Sequence, residues 1–135
     1  MEVKENQLHW SGFSVESLSR KYGTPLYVYD ASVIRERYKD IAGNIKYPYL
    51  KVHYAIKANS NLAILRLLKK EGTGVESVSQ GSILLALKAG FKPREIIYTC
   101  NGAEEVELKF LVENGIRHHQ RAGSITEKDC TAITI

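Results

Sequence analysis

Cysteine is scarce in this chain: Cys100 and Cys130 are the only two in 135 residues, far apart and without the spacing of metal ligands. A disulfide framework is therefore not expected, and a reducing, cytoplasmic setting fits. Long apolar runs are missing as well. Nothing approaches the ~18 residues of a membrane-spanning helix, so no membrane partner is expected. The first ten residues, MEVKENQLHW, have no apolar stretch behind a basic start and do not read as a secretory signal. Repeats, low-complexity tracts and obvious linkers are absent too. Charge of one sign is in short supply: 19 basic against 15 acidic residues leave a net +4, scattered in short pairs such as Lys69-Lys70. So small an excess describes a solvated surface rather than a nucleic-acid footprint. What remains is ordinary for a globular domain, 44% hydrophobic and 25% charged, in a chain long enough to bury a core.

Short β-like runs alternate with longer helical ones. Gln7–Trp10 suits a short strand. Ser14 suits a helix cap ahead of Val15, Leu18 and Tyr22, with Ser17 where a capping box would want Glu, and Gly23 and Pro25 end that helix. Leu26–Tyr29 (LYVY) is strand-like by composition, and Asp30 suits the cap of a helix from Ala31 to about Ile45. Leu50–Ile56, Val75–Val78 and Ile96–Thr99 read as strands. Between and after them, helices are marked by Leu62, Leu65 and Leu68, by Ile83, Leu84 and Leu87, and by Val106, Phe110 and Leu111. These three helices stop at Gly72, Gly90 and Asn114-Gly115, since glycine accepts the left-handed conformation that follows a helix. The βαβα order predicts an α/β protein with a parallel sheet or (β/α) barrel. A complete eight-unit barrel needs roughly 250 residues, so either a small open domain or an incomplete barrel is expected.

The segment Tyr54-Ala55-Ile56-Lys57-Ala58-Asn59-Ser60-Asn61 puts a lysine at the C-terminal end of an apolar strand, before a polar turn and a helix. Active sites of α/β barrels lie at that end of the strands. An amine partly withdrawn from water there is more readily neutral, and a neutral amine can form a Schiff base with an aldehyde. The same pattern also describes a lysine that merely reaches water from a strand end.

YAIKANSN resembles the lysine motif of the fold-type-III pyridoxal-phosphate-dependent decarboxylases. Gly23-Thr24-Pro25-Leu26-Tyr27-Val28-Tyr29-Asp30 is similar to the lead-in segment of the diaminopimelate decarboxylases within that family, and Gly72–Gly81 (GTGVESVSQG) resembles their second-strand motif. Ala86–Phe91 and Ile96–Tyr98 resemble the helix and strand that follow. The likeness runs from about residue 8 to Ile116. It implies a partial (β/α)8 TIM-type barrel, its first three to four units, with an N-terminal extension. Residues 1–30 would be that extension and a lead-in strand, and 31–116 the first part of the cofactor-binding barrel. It implies pyridoxal 5'-phosphate as cofactor, Lys57 as the lysine that carries it and acts in catalysis, and a small amino-acid substrate. The reaction implied is decarboxylation of meso-diaminopimelate to L-lysine and carbon dioxide, in lysine biosynthesis, by a homodimer. Ornithine/arginine and carboxynorspermidine decarboxylases share the lysine motif and stay open as alternatives. A non-catalytic pyridoxal-phosphate-binding protein or a pseudogene fragment also stays open. Alanine racemases share the barrel and lysine but usually continue with an aromatic-Gly-His run.

Departures from the family pattern mark further positions. Glu76 stands where the family usually has Asp, either as an acidic partner of Lys57 in its surroundings or as a surface glutamate. His53 shares strand parity with Lys57 and so faces the same side, as a supporting group or as a packed histidine. Ser82 stands where Glu is usual, Cys100 where Gly is usual, and Ala103 near a usual Lys. His118-His119 are adjacent on an expected strand and would point to opposite faces, so no metal site is expected.

After Gly115-Ile116 the family continues with a strand of the Ile-Ile-Asn-Val kind. Here the text turns to RHHQRAGSITEKDCTAITI, without strand alternation or a helix face. His-His-Gln-Arg is CAY-CAY-CAR-CGN. Read one base later it becomes AYC-AYC-ARC-GNG, which can encode Ile-Ile-Asn-Val. Residues 117–135 are thus expected to be an aberrant tail, read out of frame. In the family the phosphate loop, the pyridine-nitrogen Glu and the ring-stacking His come later in the chain, as does a C-terminal β domain. This polypeptide alone is therefore expected to be inactive and marginally stable.

Overall fold

The computed structural model describes residues 1–4, 6–100, 102–119 and 132–134. They fall into two compact units, Met1–Ser32 and Val33–Ile135. In the first, β1 (Glu2–Lys4), β2 (Gln7–Trp10) and β3 (Phe13–Ser14) form an antiparallel sheet in that order. The sheet leads into α1 (Val15–Tyr22), whose cap is Ser14: its Oγ accepts the Ser17 amide at 3.3 Å. β1 and β3 are too short and too polar to carry an alternation signal.

The expected strand at Leu26–Tyr29 is not formed; the lead-in is irregular. Its composition favours β structure, but β propensity is realised only against a pairing neighbour and a buried face. This run has neither, with Tyr27 85% and Tyr29 54% exposed. Asp30 does cap α2 (Ala31–Asn44), accepting the Ser32 amide at 2.7 Å.

The second unit is α/β, as the alternation predicts. β4 (Lys51–Ala55), β5 (Gly74–Ser77), β6 (Ile96–Thr99), β7 (Arg117–His119) and β8 (Ala132–Thr134) form a parallel sheet in the order β7-β6-β5-β4-β8. Among the described residues the sheet is open. Between the strands run α3 (Leu62–Glu71), α4 (Gln80–Ala89) and α5 (Glu105–Glu113). The strands for β7 and β8 lie where the sequence offers no alternation. Pairing to the edges of β6 and β4 satisfies the backbone regardless of side-chain pattern. The rest of the expected tail, 120–131 and 135, lies outside the described residues.

The helices pack on one face of the sheet. Val75, Ile96 and Tyr98 meet Leu65, Ile83, Ala86 and Leu111 there, and Ile56 closes the same cluster. Six of these eight are wholly buried, and Ile56 and Leu111 nearly so. Full burial of one such aliphatic side chain is worth about 2 kcal/mol, so this layer fixes the register of strands and helices together. Two like reversals do the rest. Gly72 (φ +96°) and Gly90 (φ +100°) end α3 and α4 left-handed, and the next amides, Thr73 and Phe91, bond back to Leu68 and Ala86. Both return the chain to the same edge, so β4, β5 and β6 all finish on one side.

Candidate functional site

The site is built from the segments that leave those three strand ends. β4 gives way to one 3-10 turn, Ile56–Ala58. Ile56 turns into the core, 1% exposed, and pins the turn, while Lys57 is left exposed at the end of the sheet. The Asn-Ser-Asn run behind it satisfies backbone groups. Asn59 Oδ1 accepts the Asn61 amide and Asn61 Oδ1 accepts the Ala63 amide, both at 2.9 Å, and the Tyr54 hydroxyl donates to the Asn59 carbonyl at 3.2 Å. The run is thus the capping device of α3, and it sets where the chain carrying Lys57 turns. Among the described residues no carboxylate lies within ion-pair distance of the Lys57 amine.

Side chains of paired residues in a parallel sheet point to the same side. Ala55 is the partner of Glu76, and Glu76 the partner of Ile97. Glu76 therefore projects from the face opposite the helices, the same face as Ala55 and His53 of β4. Its carboxylate accepts a hydrogen bond from Thr99 Oγ1, two residues beyond Ile97 on β6. Both are half-buried. Thr99 was not singled out by the sequence; a threonine at the parity of the partner of Glu76 is the signal that would have found it.

His53 is on the same face but does not reach this end. It lies in the middle of β4, two residues before the strand ends at Ala55. It is 5% exposed, and its ring covers Gly74: a Cβ there would stand 2.4 Å from the ring and 2.9 Å from the Glu95 carbonyl oxygen. The structure thus brings Glu76 and Lys57 to one end of the sheet and places His53 in the packing below.

The other departures have local roles. Ser82 is the third residue of α4. Its amide and hydroxyl exchange bonds with Ser79, both at 3.2 Å, a capping box made with serine instead of glutamate. The Cys100 thiol accepts the Gly102 amide at 3.4 Å. The buried Tyr98 hydroxyl donates to Glu107 at 3.0 Å and ties α5 to β6. Burial, then the Glu107 carboxylate, pushes the Tyr98 hydroxyl well above its ordinary value. His118 and His119 are neighbours on β7, and no group of three or more metal-ligating side chains occurs among the described residues. No described helix is long and apolar enough to cross a membrane.

Residues 31–127 match the family model described as the pyridoxal-binding domain of pyridoxal-dependent decarboxylases. The diaminopimelate decarboxylase of Methanothermobacter thermautotrophicus is 45% identical over 108 residues, 78% of this chain and 25% of that protein. That of Aquifex aeolicus is 38% identical over 116 residues, 86% of this chain and 27% of that one. The structure resembles diaminopimelate decarboxylase from Helicobacter pylori complexed with L-lysine, with a TM-score of 0.73 and 34% identity over 79% of this chain and 27% of that one. The chain spans about a quarter of the length of the curated relatives it matches.

Proposed function

This chain belongs to the pyridoxal-dependent decarboxylases, within their pyridoxal-binding domain, and we propose that it is the first part of an enzyme that decarboxylates meso-diaminopimelate to L-lysine. In this reading residues 31–116 are the first three to four units of a (β/α)8 barrel, and 1–30 an extension ahead of it. The enzyme works in the cytoplasm on a small amino acid, as a homodimer. The observation that carries the reading is the exposed Lys57 amine at the C-terminal end of parallel strands, inside the matched region. L-lysine held by the Helicobacter relative supports the choice of product.

The residues present fit pyridoxal phosphate at one point of attachment. An aldehyde needs a primary amine that it can reach, and Lys57, exposed at the end of β4, is such an amine. When bound, the cofactor supplies an electron sink for the charge left when a carboxylate departs. This chain's own part is to hold the amine at the end of β4. Ile56 anchors the turn in the core, and the Asn59–Asn61 capping run fixes the chain on the other side. Glu76 places a carboxylate near the same end of the sheet, bonded to the Thr99 hydroxyl.

Incubating the chain with pyridoxal phosphate, reducing with borohydride and mapping the peptides tests the assignment. The label is expected on Lys57 and is lost in Lys57→Ala. A label spread over surface lysines, unchanged by that substitution, sinks it.

We further propose that residues 117–135 are read out of frame, because codons for His118–Arg121 read one base later can encode the Ile-Ile-Asn-Val strand that the family carries there. Nucleotides across codons 114 to 125 that do not continue the family's sequence in the shifted frame would overturn this.

A further inference from the structure

Lys57 has a fixed point on each side, and one of them depends on a side-chain bond that spans it. Tyr54 is the partner of Val75 in the sheet, so its ring lies on the helix side, where it packs against the core cluster. From there its hydroxyl reaches past the 3-10 turn Ile56–Ala58 and donates to the Asn59 carbonyl at 3.2 Å. Donor and acceptor are five residues apart, and Lys57 lies between them.

A 3-10 turn is held by backbone bonds of poorer geometry than those of an α-helix, and this one has no side-chain cap at its start. Ile56 is buried, so the chain is fixed just ahead of Lys57. Just behind, Asn59 is extended (φ −161°, ψ 116°) and held at two atoms. Its carbonyl oxygen accepts from Tyr54, and its Oδ1 accepts the Asn61 amide at 2.9 Å. The second bond belongs to the capping run of α3. The first ties the far end of the turn back to the core. Between the two fixed points only the backbone of Lys57 and Ala58 is left.

We propose that Tyr54 is a positioning residue, whose hydroxyl closes the Lys57 turn and holds the root of the lysine side chain in one place at the end of β4. The inference rests on the reading of Lys57 as the cofactor-bearing lysine. A turn that is already ordered does not have to be ordered when the aldehyde is held, so that cost is not drawn from attachment. Tyr54 acts through the backbone, by way of Asn59.

The test is Tyr54→Phe in the 135-residue chain, which keeps the ring and removes the hydroxyl. Amide exchange followed by NMR is expected to quicken about fivefold at Ala58, Asn59 and Asn61, as for the loss of one hydrogen bond. It should stay as it was at Val75, Ile83 and Ile96 in the core. Borohydride-trapped pyridoxal phosphate on Lys57, measured against the exposed Lys88 of α4 in the same molecules, should fall by a similar factor. Turn amides that do not move overturn the inference, as does an acceleration shared equally by turn and core, which would make Tyr54 a general packing residue. An unchanged ratio of Lys57 to Lys88 with faster turn amides overturns it too, since the turn would then loosen without consequence for the amine. Should Tyr54→Phe not fold, the unaltered chain decides: the Tyr54 hydroxyl proton is expected to give its own slowly exchanging signal, and its absence overturns the inference. If pyridoxal phosphate marks Lys57 no more than Lys88 in the unaltered chain, the cofactor reading fails, while the turn amides still decide whether Tyr54 closes the turn.

Discussion

At the scale of single residues, two positions are fixed by their neighbours rather than by any pattern. Gly74 lies under the His53 ring, so a methyl group would meet both the ring and the rigid Glu95 carbonyl. Gly74→Ala is expected to lower stability by about 2 kcal/mol, in the range for overpacking a filled site; the urea midpoint measures it. Truncating His53 as well should recover only part of the loss, because the Glu95 carbonyl remains. Tyr98 is the second position. Its hydroxyl is buried and bonded to Glu107, and its ionisation is displaced upward from an ordinary value of 10.0. A group whose folded value is raised stabilises the fold fully below its unfolded value and loses that contribution as the pH climbs toward the folded one. Stability should therefore fall as the pH rises above about 10, and Tyr98→Phe should flatten that alkaline limb. An equally steep limb in the variant would assign it to other groups. The place of Lys57 at a strand end was legible from its motif; the place of His53 and the bond from Thr99 were not, because both depend on which strands become neighbours.

At the scale of elements, α3 carries the most information per residue. Its apolar face and glycine stop are written in the sequence, and the helix forms between the Asn61 cap and Gly72. Its last turn holds something less visible. Lys69, which reads as half of a solvated basic pair, forms an ion pair with Glu95 just before β6 and lies 5.5 Å from the Phe91 ring centre. Burial works to raise the Glu95 carboxyl, but the Lys69 ammonium and the Lys92 amide outweigh it and hold it below the ordinary 4.5. A depressed carboxyl stabilises above its unfolded value and stops doing so as the pH falls through the folded one. The fold should therefore weaken below about pH 4.5, and Glu95→Gln should be less stable at neutral pH with a shallower acid limb. Thermal melts between pH 3 and 7 read both. At the other extreme, LYVY has the composition of a strand and no partner, so its propensity is not realised.

At the scale of the whole molecule, the parallel sheet is open among the described residues, and α5 leaves Val106 and Val112 68% and 78% exposed. The chain spans about a quarter of the length of the relatives it matches. The purified 135-residue chain, given pyridoxal phosphate and meso-diaminopimelate, is expected to release no L-lysine. Measurable release would show that the rest of that length is not required.

The sequence by itself determined the alternation of strands and helices, the glycines that end the helices and the strand-end motif that carries Lys57. Each of these is set by local backbone preference, by periodic burial, or by a contiguous motif. Only the tertiary structure decided that β5 lies between β4 and β6, and with it that Thr99 reaches Glu76, that His53 covers Gly74 and that Lys69 finds Glu95. Those contacts join residues 20 or more positions apart, and strand order and register, which no local pattern encodes, bring them together.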